Sequence, residues 1–127
     1  MDNGFIDLSD IESLNRFLAR SNDAPIVIFK HSDTCGISAR AYGEMQELVE
    51  RKANSVERQL QNVPVGIVAV QAARDVSNEI ETRTGIEHES PQVFVMMNGR
   101  VVWSASHRGV NAEAVERAMS NAVSSEQ

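Results

Sequence analysis

A chain of 127 residues has room for one domain of ordinary size and little more. Hydrophobic residues supply 42% of it and charged residues 24%, the balance of a folded domain rather than of a disordered segment. Asp and Glu number 18 against 12 Lys and Arg, and the resulting net charge of −6 argues against nucleic acid and anionic membranes as partners, since both are drawn to positive fields.

Ser9, followed three residues later by Glu12, has the form of a capping box, in which two side chains take up otherwise unpaired N–H groups at a helix start. A helix is therefore expected from near Asp10, with Ile11, Leu14, Phe17 and Leu18 on one face and the turn formers from Ser21 to Pro25 ending it. Ile26 to Phe29 is a short unbroken apolar run rich in β-branched residues, the pattern of a strand covered on both faces. After Gly36, the residues Ile37, Ala41, Met45, Leu48 and Val49 make one helical stripe, which either continues through Val56 and Leu60 or breaks at Asn54-Ser55. Val65 to Val70 reads as a second buried strand. Asp75 to Thr84 reads as a helix with Val76 and Ile80 inward and Gly85 as its left-handed stop. Pro91 precedes a third strand over Gln92 to Met97, and Asn98-Gly99 predicts a tight hairpin that returns Arg100 to Ala105 antiparallel. Asn111 is placed to cap a last helix with Ala114, Val115, Ala118, Met119 and Ala122 on its inner face.

Strands separated by helices require right-handed parallel crossovers, and the closing hairpin adds an antiparallel edge. The expected fold class is α/β with a thioredoxin-like layout, a four-stranded mixed sheet flanked by helices on both faces. Residues 1–127 are expected to form a single domain, with 1–8 and 124–127 frayed. No run approaches the ~20 apolar residues of a membrane span, and the acidic start lacks the basic and then apolar pattern of a secretory signal, so a cytoplasmic location is expected.

The single cysteine, Cys35, excludes an intrachain disulfide and a zinc site built from several cysteines of one chain, and no metal is expected. Cys35 falls where the first buried strand has ended and the next helix begins, among N–H groups without intrahelical partners. A cysteine so placed can have its pKa lowered to between about 3.5 and 7.5, against about 8.5 when free, and the thiolate is the reactive form. Lys30 and His31 would add positive potential, and Asp33 would oppose them. The alternative is a buried, inert cysteine. In Cys35-Gly36-Ile37-Ser38 a serine holds the place of a resolving cysteine, so a mixed disulfide formed on Cys35 must be released by a thiol from elsewhere. The Ser38 hydroxyl either donates to the thiolate or ties up backbone groups of the first helical turn. Ser90–Pro91 precedes the third strand. A cis bond there would turn the Ser90 backbone toward the cysteine, offering N–H and C=O to an incoming disulfide in extended pairing, whereas a trans strand start is the ordinary alternative. Among the histidines, His107 is the one to follow, because the segment after the hairpin commonly returns near the cysteine in this architecture.

Phe29-Lys30-His31-Ser32-x-x-Cys35-x-Ile37-Ser38-Ala39, Ser77-Asn78-Glu79-Ile80, His88-Glu89-Ser90-Pro91-Gln92, Asn98-Gly99-x-Val101-Val102-Trp103 and Ser106-His107 together resemble the monothiol bacilliredoxins of the YtxJ type, over about Phe29 to Val115. The resemblance implies a thioredoxin-like thiol–disulfide oxidoreductase that removes bacillithiol, or a similar low-molecular-weight thiol, from protein mixed disulfides. It makes Cys35 the nucleophile and Ser90–Pro91 the cis-proline element, with Thr34, Gly36, Ser38, Ser90 and Pro91 as the substrate-binding residues. It implies no tightly bound cofactor, bacillithiol as co-substrate, S-thiolated proteins as partners and a flavin-dependent bacillithiol disulfide reductase behind them. Gly36 stands where the family usually has proline, and Arg108 where an aromatic residue commonly follows the Ser-His pair. Cys35-Gly36-Ile37-Ser38 is also similar to the Cys-Gly-Phe-Ser loop of monothiol glutaredoxins, which carry a [2Fe-2S] cluster, although Ser104 to Arg108 replaces their Gly-Gly-x-Asp segment. A thioredoxin-fold interaction module with an idle cysteine is the non-redox alternative.

Overall fold

The computed structural model describes residues 4–32 and 36–125, so Asp33, Thr34 and Cys35 lie outside the described residues. In chain order the elements are β1 (Ile6–Asp7), α1 (Ile11–Ala19), β2 (Ile26–His31), α2 (Gly36–Ala53), α3 (Arg58–Gln61), β3 (Val65–Ala69), α4 (Arg74–Thr84), β4 (Gln92–Met97), β5 (Arg100–Ser106) and α5 (Ala112–Ser125). Short 3-10 turns, Arg20–Asn22 and His107–Gly109, follow α1 and β5.

The sheet has the order β1-β3-β2-β4-β5, with β1, β3 and β2 parallel and β4 and β5 antiparallel to their neighbours. Five strands rather than four result because the segment before Leu8 is bound instead of frayed. Ile6 and Asp7 pair with Gly66 and Ile67, the Leu8 N–H donates to the Ile67 carbonyl at 3.0 Å, and Phe5 and Leu8 are buried on either side. Two residues leave no readable alternation, which is why hydrophobic periodicity does not reveal this strand.

Alternation along the central strands divides the core in two. Val27 and Phe29 of β2 and Val93 and Val95 of β4 face α2 and α5, which contribute Ala41, Met45, Leu48, Val115 and Met119. Ile26, Ile28, Phe94 and Met96 face α1 and α4, which contribute Leu14, Phe17, Val76 and Ile80. Gly66 on β3 lies where Leu8 and Phe17 press on the strand, and a Cβ there would fall 2.7 Å from Leu8 Cδ1 and 2.9 Å from Phe17 Cε2. Both neighbours are buried and cannot swing away. Gly66→Ala is therefore expected to destabilise the protein by about 1–3 kcal/mol, read as a lower urea midpoint with an unchanged slope.

Helix ends show where local chemistry and expectation differ. The N-cap of α1 is Asp10, whose Oδ1 accepts the Ser13 N–H at 2.8 Å while Ser13 Oγ accepts the Asp10 N–H at 3.2 Å. The capping box is thus Asp10–Ser13, one residue later than Ser9–Glu12, because an aspartate accepts as well as a serine and Ser13 reciprocates. These bonds hold the Asp10 carboxyl below the usual carboxylate range. α2 stops at Ala53, leaving Val56 fully exposed and Leu60 buried in the separate α3. Gly85 caps α4 at φ 71°, and Asn98 and Gly99 turn the hairpin at φ 55° and 75°, as their residue types require. Asn111 Oδ1 accepts the Ala114 N–H at 2.8 Å, and Glu44 of α2 takes the first N–H of α5, at Ala112, at 2.8 Å. α5 continues through Ser124 to Ser125, past the point where fraying was expected, with Val123 buried beneath its last turn.

Candidate functional site

Four chain segments meet at one end of the sheet. β2 finishes there and α2 begins; β4 starts there and β5 finishes. The register Lys30↔Gln92 sets Pro91 beside the end of β2, and Gln92↔Ser106 sets the end of β5 beside both. The Ser32 N–H, just past β2, donates to Ser38 Oγ in the first turn of α2 at 3.3 Å, and Gln71 Nε2 donates to Ser32 Oγ at 2.8 Å. Ser38 is completely buried, and its oxygen accepts this bond from the end of β2. The bond uses Ser38 as an acceptor and leaves its O–H proton to donate elsewhere. Gly36 is the first residue of α2. Thr34 and Cys35, the residues immediately before it, are outside the described residues, so the structure gives them no geometry.

The Ser90–Pro91 peptide bond is cis. The Pro91 carbonyl accepts the His107 N–H at 2.9 Å, which ties the start of β4 to the turn after β5. Ser90 Oγ is buried and has no hydrogen-bond partner among the described residues, an uncommon state for a hydroxyl and the kind that a bound group can relieve. His107 has φ 53°, and its Nδ1 lies 3.4 Å from Glu89 Oε1, while Ser106 Oγ donates to Glu89 Oε2 at 3.1 Å. One turn into α2, Arg40 donates to the carbonyls of Arg108 and Val110 at 3.4 and 3.1 Å and so anchors this turn against the helix.

Beneath these residues runs a polar row that the sequence reading missed. Lys30, Gln92 and Ser106 are cross-strand partners on β2, β4 and β5, and all three reach the segment before Pro91. Gln92 takes the Glu89 N–H at 3.3 Å and donates to the Glu87 carbonyl at 3.0 Å. Lys30 donates from Nζ to the Ser77 carbonyl at 3.0 Å and meets His88 Nδ1 at 3.2 Å; Ser77 Oγ is 3.3 Å from the same nitrogen. The His88 N–H donates to Glu81 Oε2 at 2.9 Å.

Lys30 is the outlier among the charged residues, because its side chain is wholly buried. Burial pushes its amine down to about 8, with Glu81 partly opposing. Burial and then the neighbouring Lys30 hold His88 below its ordinary value. Because a lysine only donates when charged, His88 Nδ1 is the acceptor of the pair. Lys30 thus points to the α4 face and is buried rather than solvated. The signal was present in the sequence: Ile26, Ile28 and Lys30 occupy alternate positions, so the lysine continues a buried face. His31 points to the other face, with its ring 5.7 Å from Phe29 and 5.4 Å from Tyr42.

Comparison with known proteins adds an independent line. Residues 6–115 match the family described as Monothiol bacilliredoxin BrxC. A solved structure provisionally described as an oxidoreductase with a thioredoxin fold is similar at 30% identity over 91% of this chain and 93% of that one, with a TM-score of 0.75. Thioredoxin from Fasciola hepatica matches at 13% identity over 93% of this chain and 99% of its own, TM-score 0.69. A Schistosoma mansoni thioredoxin preprotein matches at 15% identity over 94% and 98%, TM-score 0.70. The last two establish the thioredoxin fold alone.

Proposed function

We infer the function from the family, for the chain belongs to the monothiol bacilliredoxins, and we propose that its thiol–disulfide exchange removes bacillithiol, or a similar low-molecular-weight thiol, from S-thiolated proteins. The Cys35 thiolate attacks the small-thiol sulfur of a protein mixed disulfide. The Cys35–small-thiol bond forms, the old S–S bond breaks, and the protein leaves as a thiolate that takes a proton from solvent. A second small-thiol thiolate then attacks the adduct, restoring Cys35 and releasing the symmetric disulfide to a flavin-dependent reductase. Ser38 is absent from the electron flow and cannot resolve the adduct as a cysteine would. The backbone at Ser90, with the unpartnered Ser90 Oγ beside it, is the surface on which the incoming disulfide lies extended. Thr34 and Gly36, the neighbours of Cys35 in sequence, complete the proposed substrate-binding set. The reducing cytoplasm is the compartment in which such a lone thiol turns over.

The observation that carries this reading is the family match across Cys35 on a chain with no second cysteine. Incubation with a bacillithiol mixed disulfide is expected to give one small-thiol adduct, mapped by mass spectrometry to Cys35, with release of the partner thiol. Protein left unmodified at saturating disulfide would count against any exchange activity. Adduct formation with glutathione disulfide but not with the bacillithiol form would overturn the choice of small thiol.

A further inference from the structure

The segment that leads into the cis bond is held from beneath at three successive residues. Gln92 is 2% exposed, and both ends of its amide serve this one stretch of chain. Its Oε1 accepts the Glu89 N–H at 3.3 Å and its Nε2 donates to the Glu87 carbonyl at 3.0 Å, both across the Ser90–Pro91 peptide. His88, between them, is fixed twice, through its N–H to Glu81 Oε2 at 2.9 Å and through its ring to Lys30 Nζ at 3.2 Å. Lys30 is the cross-strand neighbour of Gln92 and is itself anchored on the Ser77 carbonyl at 3.0 Å. Glu87, His88 and Glu89 thus each have a fixed partner. Ser90 does not: among the described residues neither its N–H nor its carbonyl forms a hydrogen bond, and its buried Oγ has no partner.

This arrangement costs stability. Lys30 is wholly buried, yet Nζ meets a backbone carbonyl and an imidazole instead of a carboxylate, and a well-packed apolar side chain in its place would escape that penalty. Polar groups kept in a core at the expense of stability point to a functional demand on what they hold. We propose that Gln92 and Lys30 are positioning residues for substrate docking: they fix residues 87–89 so that the free backbone of Ser90 is presented, already shaped, to the extended chain of an incoming protein mixed disulfide. Backbone that is ordered beforehand loses little further freedom when the substrate pairs with it, which strengthens docking. The inference rests on the proposed exchange reaction and concerns its docking step, not the ionisation of the sulfur.

Gln92→Met removes both amide bonds with little change of volume. In exchange with a mixed disulfide carried on an extended peptide, KM is expected to rise about three- to tenfold with kcat within about twofold. Alkylation of Cys35 by iodoacetamide, which requires no docked chain, should keep its rate and its pH midpoint. An unchanged KM in the folded variant overturns the inference and leaves the exchange reaction standing. An alkylation rate that falls as far as kcat/KM also overturns it, since the damage then lies at the thiol or in the fold as a whole. Wild-type protein that forms no adduct removes the reaction itself, and the inference with it. A measurement on the wild type covers a variant that fails to fold: the His88 and Glu89 amides should exchange with deuterium at least about a hundredfold more slowly than in an unstructured chain. Exchange at the unstructured rate would mean that the segment is not held, and would overturn the inference.

Discussion

Cys35→Ser is expected to reduce exchange with a small-thiol mixed disulfide to the uncatalysed background, a loss of at least about a hundredfold, while leaving the folded state intact. A serine hydroxyl does not ionise near neutrality, and its oxygen cannot form the S–S bond on which the cycle depends. The chain contains no other cysteine to take over. The measurement is release of the protein thiol, followed with a chromogenic reagent, alongside circular dichroism. Retention of more than about a tenth of wild-type turnover in the serine variant would place the chemistry elsewhere on the molecule.

The second large effect concerns stability against pH. The Lys30 amine titrates near 10.5 in an unfolded chain and at about 8 in the folded protein, because burial disfavours its charged form. Between those values the unfolded state binds more protons than the folded one, so unfolding free energy must rise with pH across that window. The rise amounts to about 3 kcal/mol, the full penalty being present below pH ~8 and gone above pH ~10.5. The His88 imidazole, also held below its ordinary value by burial and by Lys30, acts in the same direction in the weakly acidic range. Urea denaturation of Cys35→Ser at closely spaced pH values avoids interference from thiol ionisation, and adding Lys30→Met should remove the alkaline increase. A stability curve that is flat or falls from pH 8 to 10.5, after the contribution common to both proteins is subtracted, would show that the buried amine is not strained electrostatically.

How much of this was legible in the sequence depended on whether a feature repeats. The amphipathic helices, the buried central strands, the Asn98-Gly99 hairpin and the Gly85 stop follow from periodicity or from residues with narrow backbone preferences. β1 did not, since two residues carry no period and their partners on β3 lie 60 positions away, at Ile6↔Gly66. The α1 cap shifted by one residue because Ser9, Asp10, Glu12 and Ser13 can all cap, and only geometry chooses among them. At the candidate site, Ser90–Pro91 and His107 were legible from their place in the element order. The clamp beneath them was not: in the sequence Lys30 reads as positive potential beside Cys35 and Gln92 as an ordinary strand residue, and the strand register puts the two side by side. The alternation of Ile26, Ile28 and Lys30 signals that Lys30 is buried, but its partners His88 and Gln92 follow only from the strand register.

The two flanks of the sheet also bear on behaviour in a crowded solution. β1 is only Ile6–Asp7, which leaves β3 capped by a strand too short to recruit a foreign one. At the opposite flank β5 slips register between Val95 and Met96, so that Val102 has no partner on β4 and the strand bends there. Neither rim offers the long, straight row of unsatisfied amides that seeds chain-to-chain zippering, a protection assembled from brevity on one side and irregularity on the other.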